Sequence, residues 1–88
     1  MMSKREEYLK ILLNERLSHL SLPGSEYDVT NHPNDWVAIA AKYLSEESRC
    51  KGIKPSKEAF QDSLIKAGAI ILAALEHIDH MDKEGRFK

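Results

Sequence analysis

The sequence has one cysteine, almost no net charge and no apolar run long enough to cross a bilayer. A single cysteine excludes an internal disulfide framework and is typical of a reducing compartment. With 13 basic and 14 acidic residues the formal charge is −1, so no global field attracts nucleic acid or anionic membranes. The first ten residues, MMSKREEYLK, lack the apolar core of a secretory signal, so we expect neither a leader nor an anchor. These absences favour a cytoplasmic protein.

The hydrophobic and charged fractions of the sequence favour a folded chain. Of the 88 residues, 42% are hydrophobic and 31% are charged, which is too apolar for intrinsic disorder. We therefore expect a single helical domain over residues 1–88. A chain this short buries only about 60–65% of its unfolded surface, so partners are expected.

The first helix is predicted to cover about residues 3–20. Ser3 and Glu6 have the spacing of a capping box, in which each residue's side chain binds the other's backbone N–H. Leucines then recur at spacings of three and four, and they form an apolar stripe that something must cover. The stripe consists of Leu9, Leu12, Leu13, Leu17 and Leu20.

Two further helices are predicted, at about residues 33–48 and 56–81. Pro33 suits the first turn of the second helix, which has an alanine-rich face. Ser56 is the predicted N-cap of the third and longest helix. The polar tail at residues 82–88 is expected to fray.

The centre of the third helix, Ala67 to Leu75, carries no charged or strongly polar residue on any side. A helix tolerates such a segment only when neighbours surround it, and nine residues are too few to span a membrane. Three helices can hardly enclose it. We therefore predict an all-α fold of three helices, with a long C-terminal helix, that assembles as a homo-oligomeric helical bundle through that helix.

No complete catalytic or metal-binding motif is found. His77 and His80 lie three residues apart beside acidic residues, a spacing that can bind zinc or iron, but a solvated helix C-terminus explains it as well. Glu76 and Asp79 match one of the two carboxylate pairs that hold magnesium in MazG-type pyrophosphohydrolases, while the other pair, Glu-x-x-Glu, is absent. The isolated glycines form no phosphate-binding loop. We expect no metal, no cofactor and no catalysis.

One region has the residue types of a nucleotide pocket. The loop and helix from residue 31 to residue 43 combine amide and imidazole groups with two aromatic rings, and nearby cations suit phosphate. An ordinary helix N-terminus with a core tryptophan would have the same composition, so both interpretations stay open. The predicted ligand-binding residues are Asn31, His32, Asn34, Trp36, Lys42, Tyr43, Arg49 and Lys66.

Two segments, NDWVAIAAKYLSEE and FQDSLIKAGAIILAALEHID, resemble a widespread group of small proteins encoded by bacteriophages and prophages. The similarity covers about residues 27–79. It combines an Asp-Trp helix start, an Ala-rich helix with a Tyr, and a final helix rich in alanine. The matching residues are Asp35, Trp36, Tyr43, Phe60, Leu64, Lys66, Ala67, Ala69, Ile70, Ala73, Leu75 and Glu76.

The resemblance implies a phage protein acting in the host cytoplasm, and a role against host defence. Some phage anti-defence proteins are compact oligomers that sequester cyclic oligonucleotides or ADP-ribose derivatives. By analogy at this level alone, we expect an oligomeric sponge for a nucleotide immune signal. The alternatives are a protein-interaction module that inhibits a host protein and, third, a MazG-like metal-dependent nucleotide pyrophosphohydrolase.

Overall fold

The computed structural model describes residues 1–22, 25–45 and 54–88, with residues 26 and 27 described by backbone alone. Within these residues the chain is all-helical, as predicted, and no strand is found. The elements are α1 (Lys4–His19), a 3₁₀ helix (Ser25–Thr30), α2 (Pro33–Ser45), α3 (Lys57–Glu76) and α4 (Ile78–Lys83). The predicted end of the second helix, residues 46–48, lies outside the described residues, as does Arg49.

Helix α1 begins where the capping-box spacing predicts. The Ser3 hydroxyl accepts a hydrogen bond from the Glu6 backbone N–H at 3.2 Å, and the Glu6 carboxylate accepts one from the Ser3 backbone N–H at 3.4 Å. The leucine stripe, however, stays largely exposed within the described chain. Its exposed members are Leu9, Leu13, Leu17 and Leu20. The buried residue of α1 is instead Arg16.

Helix α3 is the central element and contacts both α1 and α2. Three alanines on it, Ala67, Ala69 and Ala73, are buried, because small side chains let neighbouring helices approach closely. Gly68 likewise allows α1 to approach α3 closely. A Cβ atom at that position would lie only 2.6 Å from a terminal methyl carbon of Leu12.

The core of the described chain is thin. Trp36 of α2, Ala73 of α3 and Met81 of α4 form the buried cluster, against which Ile70 and Ala74 pack. No large side chain among the described residues is less than 2% exposed. The core therefore contains one large ring and one thioether chain surrounded mainly by alanines.

The predicted helix at 56–81 is interrupted at His77. The His77 ring lies 5.3 Å from the Trp36 ring, and its Nδ1 atom is 2.7 Å from the Ala73 carbonyl oxygen. These contacts fix the residue between α3 and α4, where its backbone leaves helical geometry (φ −102°, ψ 2°). Met81 on α4 then packs against Trp36. Helical periodicity continues through this point, so it could not signal the interruption.

The C-terminal tail is fixed at Arg86 rather than frayed. Gly85 adopts a left-handed conformation (φ 70°), and the next N–H bonds back to the Met81 carbonyl, which completes a Schellman motif. The Arg86 guanidinium donates to the backbone carbonyls of Val29 and Asn31 at 2.7 Å and 3.0 Å. This contact joins the chain end to the 3₁₀ segment and the start of α2.

None of the helices in the described ranges combines the length and the apolar character needed to span a membrane.

Candidate functional site

A polar pocket of about 210 Å³ lies where α1, the 3₁₀ helix, α2 and α3 meet. We call it the Arg16 pocket. Its polar lining residues are Arg16, His19, Ser25, Asp28, Trp36 and Tyr43. Leu22, Ile70 and Ala73 supply the apolar part of the wall.

Arg16 is held in this pocket by an ion pair with Glu76 at the end of α3. Its Nε and Nη2 atoms donate to the two carboxylate oxygens at 3.2 Å and 3.1 Å, so the contact is bidentate. The Arg16 side chain is 4% exposed, whereas the Glu76 side chain is 46% exposed. The Arg16 guanidinium is therefore almost completely buried, whereas the Glu76 carboxylate remains partly exposed to water.

Two N–H groups of the pocket residues have no acceptor among the described residues. They are Nη1 of Arg16 and Nε1 of Trp36, and both atoms are buried. Nearly all buried N–H groups in folded proteins are hydrogen-bonded, and leaving one without a partner costs about 1–3 kcal/mol. Each of these donors calls for an acceptor atom that the described residues do not supply.

The edge of the pocket carries further charged groups. His19 Nε2 lies 2.8 Å from a carboxylate oxygen of Glu15, one helical turn earlier. Lys66 of α3 is bound to Asp62 at 2.9 Å, and that hydrogen bond and charge raise the pKa of Lys66 above its usual value. Tyr43 and Glu15 also contribute to the raised pKa of Lys66.

The structure brings together two of the eight predicted site residues as lining of one pocket. Tyr43 is half-buried there, while Trp36 is only 4% exposed and belongs to the core. Trp36 is thus too deeply buried to offer an open ring face on which a base could stack. Lys66 lies one helical turn before Ile70, which lines the pocket.

The other predicted residues do not line the pocket. Asn31 is half-buried and its carbonyl accepts from Arg86, and the His32 backbone N–H donates to Asp35 at 2.9 Å. Asn34 and Lys42 are exposed on α2. These side chains belong to the helix start and its outer surface. Arg49 lies outside the described residues.

Sequence reasoning did not select the residues that give the pocket its polarity. Arg16 and His19 are on the face of α1 that meets α3, four and seven residues after Leu12. The sequence signal for Arg16 was its position four residues after Leu12. This spacing places both side chains on the same face of α1. Asp28 also lines the pocket, from the 3₁₀ helix. Its place beside Arg16 depends on the fold.

The acidic and histidine residues near the end of α3 do not converge. Among the described residues, no group of three or more His, Cys, Asp or Glu side chains comes close enough to hold a metal ion. Both carboxylate oxygens of Glu76 accept from Arg16, and His77 lies against Trp36. The pair that resembles a magnesium motif is thus divided between an ion pair and the start of α4.

Two apolar grooves accompany the polar pocket. The α2–α4 groove, of about 400 Å³, is lined by residues of α2, α3 and α4 together with Phe87. The α1–α3 groove, of about 440 Å³, is lined by Tyr8 and Leu12 of α1 and by residues of α3, including Lys57 and Phe60. Both grooves are larger than the Arg16 pocket.

Comparisons of the chain with models of known protein families, with curated proteins and with solved structures found no significant match.

Proposed function

We propose that this chain is a non-catalytic binding protein that works as a homo-oligomer and holds a small ligand in the Arg16 pocket. The observation that carries the proposal is the buried Nη1 atom of Arg16, which has no acceptor among the described residues and belongs to a side chain that lines the pocket. A ligand with acceptor oxygens or ring nitrogens would satisfy this donor. Binding of this kind needs no nucleophile or metal, since the donor only holds the ligand.

We propose a nucleotide as the ligand, sequestered as an immune signal by a phage protein in the host cytoplasm. The resemblance to phage-encoded proteins supports the setting. The Tyr43 ring at the pocket and the cationic Lys66, one helical turn before the lining residue Ile70, support the chemistry. The pocket is smaller than the 300–1,000 Å³ typical of drug-sized ligands, so it fits one part of a nucleotide. The remainder would extend across the surface near Lys66.

The homo-oligomer part of the proposal is supported by the surface area. The chain exposes 6933 Å² at a mass of 10.0 kDa, whereas folded monomers of this mass expose about 5,200 Å². The radius of gyration of 14.8 Å likewise exceeds the value of about 12 Å for a compact domain of 88 residues. Assembly would cover apolar surface that a single copy leaves in water.

Calorimetry against cyclic oligonucleotides and ADP-ribose derivatives tests the ligand. We expect at least one compound to release heat at micromolar protein. Tyr43→Ala should weaken binding of that compound about tenfold, because stacking on an aromatic ring contributes about 1–3 kcal/mol. Tyr8→Ala is the matched control, since Tyr8 lines the α1–α3 groove instead. Absence of heat with the whole panel would contradict the nucleotide proposal.

A protein-interaction module that inhibits a host protein is the second candidate. The two apolar grooves favour it, because their size and lining suit helices of a partner. Capture from host lysate separates the candidates. A sponge retains small nucleotides and no stoichiometric protein, whereas an inhibitor retains one protein in fixed ratio.

A further inference from the structure

We propose that a second copy of this chain binds the α2–α4 groove, and that this face is the contact on which the homo-oligomer is built. The inference rests on the oligomeric part of the proposed function and names the surface that forms it. The groove is defined by its most exposed large side chains. They are Val37 and Leu44 of α2, Ile71 and Leu75 of α3, Ile78 of α4, and Phe87.

Among the described residues, none that lines this groove is charged. Val37 is 67% exposed and Leu75 is 59% exposed, so large apolar side chains at the groove remain in water. Exposed contiguous apolar surface of this kind marks an interaction site in soluble proteins. The same segment of α3 is the one whose apolar character on all sides requires a neighbour.

The surplus of surface exceeds what a stable dimer needs. A standard interface removes about 800 Å² from each partner. The difference between the observed surface and that of a compact monomer is about 1,700 Å², which is enough for one such interface and more. An interface of ordinary size on the α2–α4 groove therefore accounts for a large part of the difference.

A second copy fits the groove better than a charged partner does. In a two-fold dimer each copy presents the same patch to the other, so the patch must be complementary to itself. A surface without charges meets its own copy without like-charge repulsion, and a net charge of −1 per chain adds little repulsion at long range. The α1–α3 groove is less suited, because Lys57 lines it.

Light scattering on three variants tests the assignment. Val37→Glu and Leu75→Glu each place a charge on the groove, and Leu9→Glu places one on the outer face of α1 at a residue of similar exposure (60%). We expect the parent chain and Leu9→Glu to have at least twice the 10.0 kDa mass of one chain. Both groove variants should associate at least tenfold more weakly.

Helicity and concentration identify a variant that has simply lost its fold. A dissociated variant regains mass and helical circular dichroism as its concentration is raised, by mass action. A variant that is unfolded for other reasons does not regain them. Val37 and Leu75 lie on different helices, so failure of both to recover counts against the groove.

The possible results separate the two claims. If the parent chain is oligomeric and only Leu9→Glu dissociates it, the α1 face is the contact; the inference is then overturned while the homo-oligomer stands. If both groove variants keep the parent mass, the inference is likewise overturned. If the parent chain is monomeric at every concentration, the homo-oligomer fails together with this inference.

Discussion

Arg16 and Glu76 connect α1 to the end of α3 across 60 positions of sequence. The two residues differ in how much water each retains, because the Arg16 side chain is 4% exposed and that of Glu76 is 46% exposed. Removing one partner of a buried pair is costly when the remaining charge stays buried. The cost of breaking this pair should therefore depend on which residue is replaced.

We predict that Glu76→Ala destabilises the chain more than Arg16→Met does. The first change leaves a buried guanidinium without its counter-charge, at a cost of about 3–5 kcal/mol. The second leaves a carboxylate that water can solvate and keeps an apolar side chain in place, so about 1–2 kcal/mol is expected. Urea unfolding measures the free energies. Asp82→Ala, at an exposed acid, is the control and should change stability by no more than about 0.5 kcal/mol. Equal losses in the two variants would contradict the asymmetry.

At the scale of the helices, α3 determines how closely its neighbours approach. Buried alanines and Gly68 leave little side-chain volume between α3 and the other helices. Gly68 is costly for the helix itself, because glycine is about 1 kcal/mol less favourable than alanine in a helix interior. Its presence is explained by the terminal methyl carbon of Leu12, 2.6 Å from where a Cβ would lie.

A double-mutant cycle on these two residues tests that contact. In the parent chain, we expect Gly68→Ala to lose most of its gain in helix propensity, because the new methyl group must displace Leu12. In a Leu12→Ala background the obstacle is absent, so the same change should stabilise the chain by about 1 kcal/mol. Thermal or urea unfolding of the four proteins gives the coupling. Identical effects of Gly68→Ala in both backgrounds would show that α1 and α3 do not meet at this point.

For the whole molecule, the thin core and the large surface have one consequence. A single copy buries Trp36, Met81 and small residues, and this leaves little hydrophobic stabilisation against the entropy of the chain. Covering the α2–α4 groove would add apolar burial that the single copy lacks. Folding and assembly are then coupled, so stability depends on protein concentration.

We predict that the melting temperature rises by about 3–6 °C for a tenfold increase in protein concentration. The tenfold change corresponds to about 1.4 kcal/mol, and two chains together have the size at which 1 kcal/mol shifts the midpoint by about 2–4 °C. Thermal unfolding followed by circular dichroism at about 5 µM and about 50 µM protein provides the measurement. Val37→Glu should reduce the shift. A melting temperature independent of concentration would indicate that single copies fold alone.

The sequence by itself determined where α1, α2 and α3 begin, because capping and periodicity act over only a few residues. The capping box at Ser3, the start of α2 at Pro33 and the cap at Ser56 follow from local hydrogen bonding. It also predicted Tyr43 as a ligand-binding residue and the centre of α3 as a segment that needs neighbours, and both remain predictions.

Only the tertiary structure decided which faces meet. The outward position of the α1 leucines, the burial of Arg16 against Glu76 and the interruption at His77 all depend on residues distant in sequence. The Arg16 pocket exists for the same reason, since its polar residues come from separate elements. Helical periodicity gives each helix its apolar residues, but the approach of a neighbouring helix selects which of them, and which charges, are removed from water.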